Sequence, residues 1–228
     1  MYSGLMKSRP RVLGVVRQGG LVVSGMLLFG LGSVATTLAI DVNLTMEEAK
    51  AALKAGRAPM QKAKTAEEVR DIMQEASLDN RVGADPIKDP CGASAILRTK
   101  RYWLERFGRQ EATESKKQKR TIRMPDNHIR KLLETPHLEI EVQLCGDDEY
   151  FAEGARVVFQ QEGMSIKPID VSPTQKGRKN EGDGPAYRSR FTARFSYGSF
   201  DPVAKTKVVV FLPDGTLMEI SADLSKVR

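Results

Sequence analysis

The sequence predicts a mainly β protein, an antiparallel Ig-like β-sandwich or small barrel in the C-terminal half, preceded by short α-helices. Three observations lead there. After Pro136, apolar Leu138, Ile140, Val142 and Leu144 alternate with Glu139, Glu141 and Gln143, the period-two pattern of a half-buried strand. Alternation is clearest over 187–197. There Tyr187, Phe191, Ala193, Phe195 and Tyr197 share one face, and Arg188, Arg190, Thr192, Arg194 and Ser196 the other. Turn residues punctuate the runs: Gly154, Gly163 and Pro173, then Pro213-Asp214-Gly215 between 206–212 and 216–222, where glycine suits a hairpin turn. Short strands at this spacing favour an antiparallel sandwich or barrel over a parallel sheet.

Taken in chain order, residues 1–39 read as an export signal. Lys7, Arg9, Arg11 and Arg17 precede an uncharged stretch, 18–40, whose strongly apolar part is 21–31 and whose exit ends in small residues at Thr36, Thr37 and Ala39. The alternative is a retained inner-membrane anchor over 18–40, since about 20 apolar residues span a bilayer. Gly19, Gly20, Gly25, Gly30 and Gly32 weaken that stretch as a span, and Asp41, not a basic residue, follows it. Cleavage after Ala39 is therefore expected. The protein would then be exported, periplasmic or extracellular, and would meet a membrane only if the segment stays uncleaved.

This reading changes the meaning of the net charge. The chain carries +7, and removing the four basic groups of the leader leaves +3. Part of the basicity is an address and not a property of the working protein. Hydrophobic residues make up 40% of the chain, enough for one sizeable core.

Residues 40–90 read as short helices and a linker. Thr45-Met46-Glu47-Glu48 and Thr65-Ala66-Glu67-Glu68 are capping boxes, each opening a thin apolar stripe, and Gly56 reads as the stop of the first helix. The stretch 80–90 reads as a loop. Residues 91–135 form a basic mixed segment. Over 94–108 Ile96, Leu97, Trp103, Leu104 and Phe107 fit one helix face, yet part of the stretch fits a strand equally well, and periodicity leaves both open. Residues 110–123 read as an exposed connection, and Pro125 precedes a further helix start. Residues 136–228 are the expected β-sandwich domain.

Cys91 and Cys145 are the two cysteines, and in an oxidising compartment an even pair is most simply one disulfide. They lack the C-x-x-C spacing of redox exchange and any zinc spacing with His128 and His137. Neither histidine sits in a recognisable catalytic motif. No catalytic residue, metal or cofactor is therefore assigned.

Two basic surfaces are candidates for binding. Between Arg98 and Lys131 lie twelve Lys or Arg against four acids, with Tyr102, Trp103 and Phe107 alongside, and Lys116, Lys117, Lys119 and Arg120 at its densest part. On the later strand Arg188, Arg190 and Arg194 project from one sheet face, spaced about 7 Å per two residues, a row able to grip carboxylates or phosphates. The expected function is binding or assembly at the cell envelope, without catalysis, against an unknown envelope protein or anionic polymer. Nucleic acid is not the expected client of an exported protein. The alternative is a hydrolase or transferase acting on envelope polymers through Glu139, Glu141, Asp147 or Asp148.

Overall fold

The computed structural model describes residues 40–181 and 184–228; the expected leader lies outside them. No helix among the described residues is long and apolar enough to cross a membrane.

The architecture is mixed, not mainly β, because four helices accompany two antiparallel sheets. Helices α1 (Met46–Lys62) and α2 (Ala66–Leu78) lead into β1 (Arg81–Gly83) and β2 (Ser94–Arg98), then α3 (Lys100–Gln118) and α4 (Asp126–Leu133). Then follow β3 (His137–Gly146), β4 (Arg156–Gln161), β5 (Met164–Ile166), β6 (Asp170–Val171), β7 (Arg178–Lys179), β8 (Tyr187–Ser196), β9 (Lys205–Phe211) and β10 (Leu217–Asp223). One sheet runs β1-β2-β3-β8-β6, with β7 also paired to β8, and the other β10-β9-β4-β5. Neither closes on itself. The long antiparallel partners β3 and β8 pair over ten residues each, from His137 opposite Ser196 to Gly146 opposite Tyr187.

The alternation explains the packing. Leu138, Ile140, Val142 and Leu144 of β3, with Phe191, Ala193 and Phe195 of β8, join Val157 and Phe159 of β4 and Val208 and Val210 of β9 in one buried cluster. Phe159 stacks on Phe195 across it, ring centroids 3.9 Å apart and planes 2° from parallel. Ile40, only 2% exposed, already belongs to this cluster, and its amide donates to the Pro202 carbonyl. The 94–108 ambiguity resolves as both forms: a strand to Arg98, then a helix whose first amides are capped by Thr99.

Two expectations about the helices change. Both capping boxes form, with Thr45 accepting from Glu48 and Thr65 from Glu68. Gly56, however, does not end α1, which continues through Pro59 to Lys62. A Cβ at Gly56 would fall on the Glu105 carbonyl of α3, and one at Gly108 on the Leu53 carbonyl of α1. The two glycines are a mutual seat that lets the backbones approach. Residues 110–118, read as an exposed connection, belong to α3. Their apolar signal is weak because Ala112 meets α1 by small size and Glu111 by an ion pair to Arg57 at 2.5 Å.

Cys91 and Cys145 form a disulfide, with Cα atoms 5.2 Å apart and a sequence separation of 54. It ties the loop before β2 to the end of β3. Closing a loop of this length removes unfolded-state entropy worth up to about 4 kcal/mol. Replacing both cysteines by alanine should cost roughly 2–4 kcal/mol of unfolding free energy in a denaturant titration. An unchanged midpoint would show that the bond is not a stabilising staple.

Candidate anion-binding cleft

The outer face of the first sheet carries the arginine row, and its partners decide what each arginine is free to do. Arg194 meets two carboxylates, Glu139 at 3.5 Å and Asp170 at 3.3 Å. Arg190 reaches only Glu141 among the described residues, at 3.9 Å. Arg188 meets none among the described residues; it donates instead to the Pro90 carbonyl at 3.0 Å and to Asn180 Oδ1 at 3.3 Å. Neutralisation therefore fades along β8 toward its start. Arg98 explains the other end, since its guanidinium bridges Glu139, at 2.7 Å, and Glu141 on the neighbouring strand.

A cleft of about 520 Å³ opens at the unneutralised end. Its cationic lining is Arg81, Lys176, Arg178, Lys179, Arg188 and Arg190, against Glu181 as the single acid among the described residues. Lys176 is paired outward, with Glu149 at 2.9 Å. Arg178 stands directly across from Arg188 in the β7–β8 register. Arg81 enters from β1, where its Nη1 donates to Ser94 Oγ at 2.7 Å and Gln143 Oε1 at 3.1 Å. Burial holds the Arg81 guanidinium below the usual arginine range, Glu141 opposes that, and Arg188 adds to it. Polar neutral groups (Gln143, Gln175, Asn180, Ser189) make up most of the remaining wall.

The disulfide borders this site. Asn180 Nδ2 lies 3.2 Å from Cys91 Sγ, so the loop carrying Arg178 and Lys179 rests against the bridged strand ends. Cross-strand like charges are unfavourable when directly opposed. The Arg178–Arg188 juxtaposition is held by backbone pairing and by the Asn180 contacts, not by an intervening acid among the described residues.

The second basic group is elsewhere in the fold. Lys116, Lys117, Lys119 and Arg120 lie at the C-terminal end of α3, with no hydrogen bond or ion pair to the β8 row among the described residues. Lys116 Nζ donates to the Ala63 carbonyl at 2.6 Å, closing the end of α1. Lys119 is the left-handed C-cap of α3. Arg120 donates to Gln118 at 3.0 Å. The aromatic residues of this region are occupied by their own chain: Trp103 is flanked by Arg98 at 5.4 Å and Arg106 at 5.1 Å, and Phe107 stacks on it.

The acids of the alternative reading are also placed. Glu139 and Glu141 are the partners of Arg98, while Asp147 and Asp148 occupy the turn after β3, where Asp148 Oδ1 accepts from the Tyr150 amide. No group of three or more His, Cys, Asp or Glu among the described residues is arranged to hold a metal ion. His137 opens β3, where burial and then Arg194 push its imidazole below the usual range; His128 lies exposed in the first turn of α4.

Sequence reasoning missed Arg81, Arg178 and Lys179. The last two had a faint signal, since they sit in the Gly- and Lys-rich stretch 173–185 just before the arginine strand, a place where binding residues collect. Arg81 had none, because only the β1–β2–β3 pairing brings it to β8.

A separate hollow of about 210 Å³ holds a carboxyl pair that the sequence also hid, Asp79 and Glu105, with Arg101, Tyr102 and Arg228 around it. Burial raises both carboxyls above their usual range, Arg109 opposes each, and Asp79 adds to the rise at Glu105. The folded chain thus binds these protons more tightly than the unfolded chain does. Their contribution to stability is full below the ordinary carboxylate range and is lost as pH rises from there through the raised values of the folded chain. Glu105→Gln should therefore gain in melting temperature over the native chain between pH 4 and pH 7. A gap that does not change with pH would contradict this.

Comparison with known protein families and with characterised proteins found no match.

Proposed function

We propose that the protein is an exported, non-enzymatic binding or assembly module of the cell envelope that holds an anionic partner in the cleft between β1, β7 and β8. One observation carries the reading: neutralisation fades along the Arg194, Arg190, Arg188 row, and the free end gathers Arg81, Arg178 and Lys179 around one opening. A pocket lined by one sign of charge concentrates its field and raises the local concentration of oppositely charged ligand. Export is supported by the leader pattern and by the disulfide, which suits an oxidising compartment. The two antiparallel sheets, stacked through Phe159 and Phe195, are read as an Ig-like sandwich that serves as scaffold. The hydrolase reading has less behind it, since Glu139 and Glu141 are spent on Arg98 and are not left to share a proton or activate a water.

The test is binding of the full chain to dextran sulfate, with uncharged dextran as the control. The Arg178→Glu, Arg188→Glu double variant should lose at least about tenfold in affinity, since reversing two charges turns attraction into repulsion. Native binding by that variant, at an unchanged circular dichroism spectrum, would contradict the assignment.

A further inference from the structure

Resting on the reading of the cleft as an anion site, we infer that its ligand is a multiply phosphorylated, non-aromatic polar group. Four guanidinium groups reach the cleft from three strands: Arg81 from β1, Arg178 from β7, and Arg188 and Arg190 from β8. A carboxylate offers two coplanar oxygens and is satisfied by one guanidinium fork. A phosphoryl group presents three oxygens in different directions and up to two charges, so it uses forks that converge from different sides.

Charge sets the number of phosphoryl groups. With Lys176 engaged by Glu149 and Arg190 by Glu141, four cations remain against Glu181 among the described lining residues, an excess of three. A phosphoryl group carries about −1.5 to −2 near neutral pH, so about two balance that excess. Arg188 and Arg190, two residues apart on one strand face, are separated by about 7 Å, which leaves room for one group at each. Arg178 stands opposite Arg188 with no acid between them among the described residues, so a bound anion relieves their repulsion.

The lining also limits the scaffold. No Phe, Tyr, Trp or His is part of it among the described residues, so a nucleobase finds no stacking platform there. Gln143, Gln175, Asn180 and Ser189 offer donors and acceptors suited to hydroxyl groups. Arg188 is positioned before any ligand arrives by Pro90 and Asn180, and Asn180 in turn by Cys91. That order reduces the cost of fixing flexible side chains on binding. The chemistry is common to a soluble oligophosphate or phosphorylated sugar and to the phosphorylated headgroup of an envelope lipid.

Titration of the full chain with tripolyphosphate and with citrate at equal ionic strength tests this. Tripolyphosphate should bind at least about tenfold more tightly. Arg188→Lys, which keeps the charge and removes the fork, should weaken tripolyphosphate binding by roughly tenfold. Phosphatidylcholine vesicles with and without a bisphosphorylated inositol lipid separate the sources. Binding to the phosphorylated vesicles that tripolyphosphate displaces identifies a headgroup, and tripolyphosphate binding without vesicle binding identifies a soluble ligand. Equal affinity for citrate and tripolyphosphate, an unaffected Arg188→Lys variant, or vesicle binding that tripolyphosphate does not displace would overturn the phosphoryl assignment alone. Failure of the native chain to bind dextran sulfate or tripolyphosphate at low salt would overturn the anion site itself.

Discussion

Phe159→Ala is expected to lower the unfolding free energy by about 3–5 kcal/mol, the range for deleting a fully buried aromatic ring. Phe159 has no exposed surface, stacks on Phe195 of the facing sheet and meets Phe200 edge-on at 5.5 Å. Its removal opens a void between two sheets whose backbones are fixed by their own hydrogen-bond ladders, so little collapse can fill it. For a domain of this size the melting temperature should fall by roughly 10 °C or more. Phe159→Leu, which keeps most of the volume, should recover over half of the loss. A drop of less than about 1.5 kcal/mol for the alanine variant would mean that the sheets do not share this core.

The second large effect is expected at the helix seat. Gly56→Val should cost roughly 3 kcal/mol, at the upper end for overpacking, because the added carbons meet the Glu105 backbone and not a side chain that can swing away. The helix itself gains little from valine, so the loss reports the separation of α1 from α3. Ala55→Val, one position along on the exposed face, should change stability by about 0.5 kcal/mol and serves as the control. Equal effects at the two positions would contradict a close crossing at Gly56.

These two sites show what was legible in the sequence. Strand positions such as Leu138 to Leu144 and Phe191 to Phe195 announce themselves because half-buried strands must alternate, and the inner face is apolar without exception. The capping boxes at Thr45 and Thr65 are equally local signals. Gly56 misleads, because a glycine that ends a helix and a glycine that admits a neighbouring backbone look alike until α3 is in place. Residues 110–118 mislead for a related reason: α3 packs there through a small side chain, Ala112, and a paired acid, Glu111, so its buried face carries no apolar stripe.

The site divides in the same way. The β8 arginines were visible because a strand puts alternate residues on one face. Which of them stays free was not visible, since Glu139 and Glu141 reach the row from β3, and Asp170 from β6, only through sheet pairing. Arg81 and Arg178 join for the same non-local reason. The dense run at Lys116 to Arg120 was the louder signal in the sequence, yet Lys116 closes the end of α1 and the run sits apart from the arginine row.

The salt dependence of binding to a long inorganic polyphosphate chain tests the central claim most directly, with three proteins side by side: the native chain, Arg178→Glu with Arg188→Glu, and a variant with glutamine at Lys116, Lys117, Lys119 and Arg120. Each cation in contact with the polyanion steepens the fall of affinity with salt, as released counterions are lost to the bulk. The cleft account predicts a steep slope for the native chain, an unchanged slope for the α3 variant, and a flattened slope with at least about tenfold weaker binding for the cleft variant. The opposite pattern, a flattened slope in the α3 variant and native behaviour in the cleft variant, would contradict it.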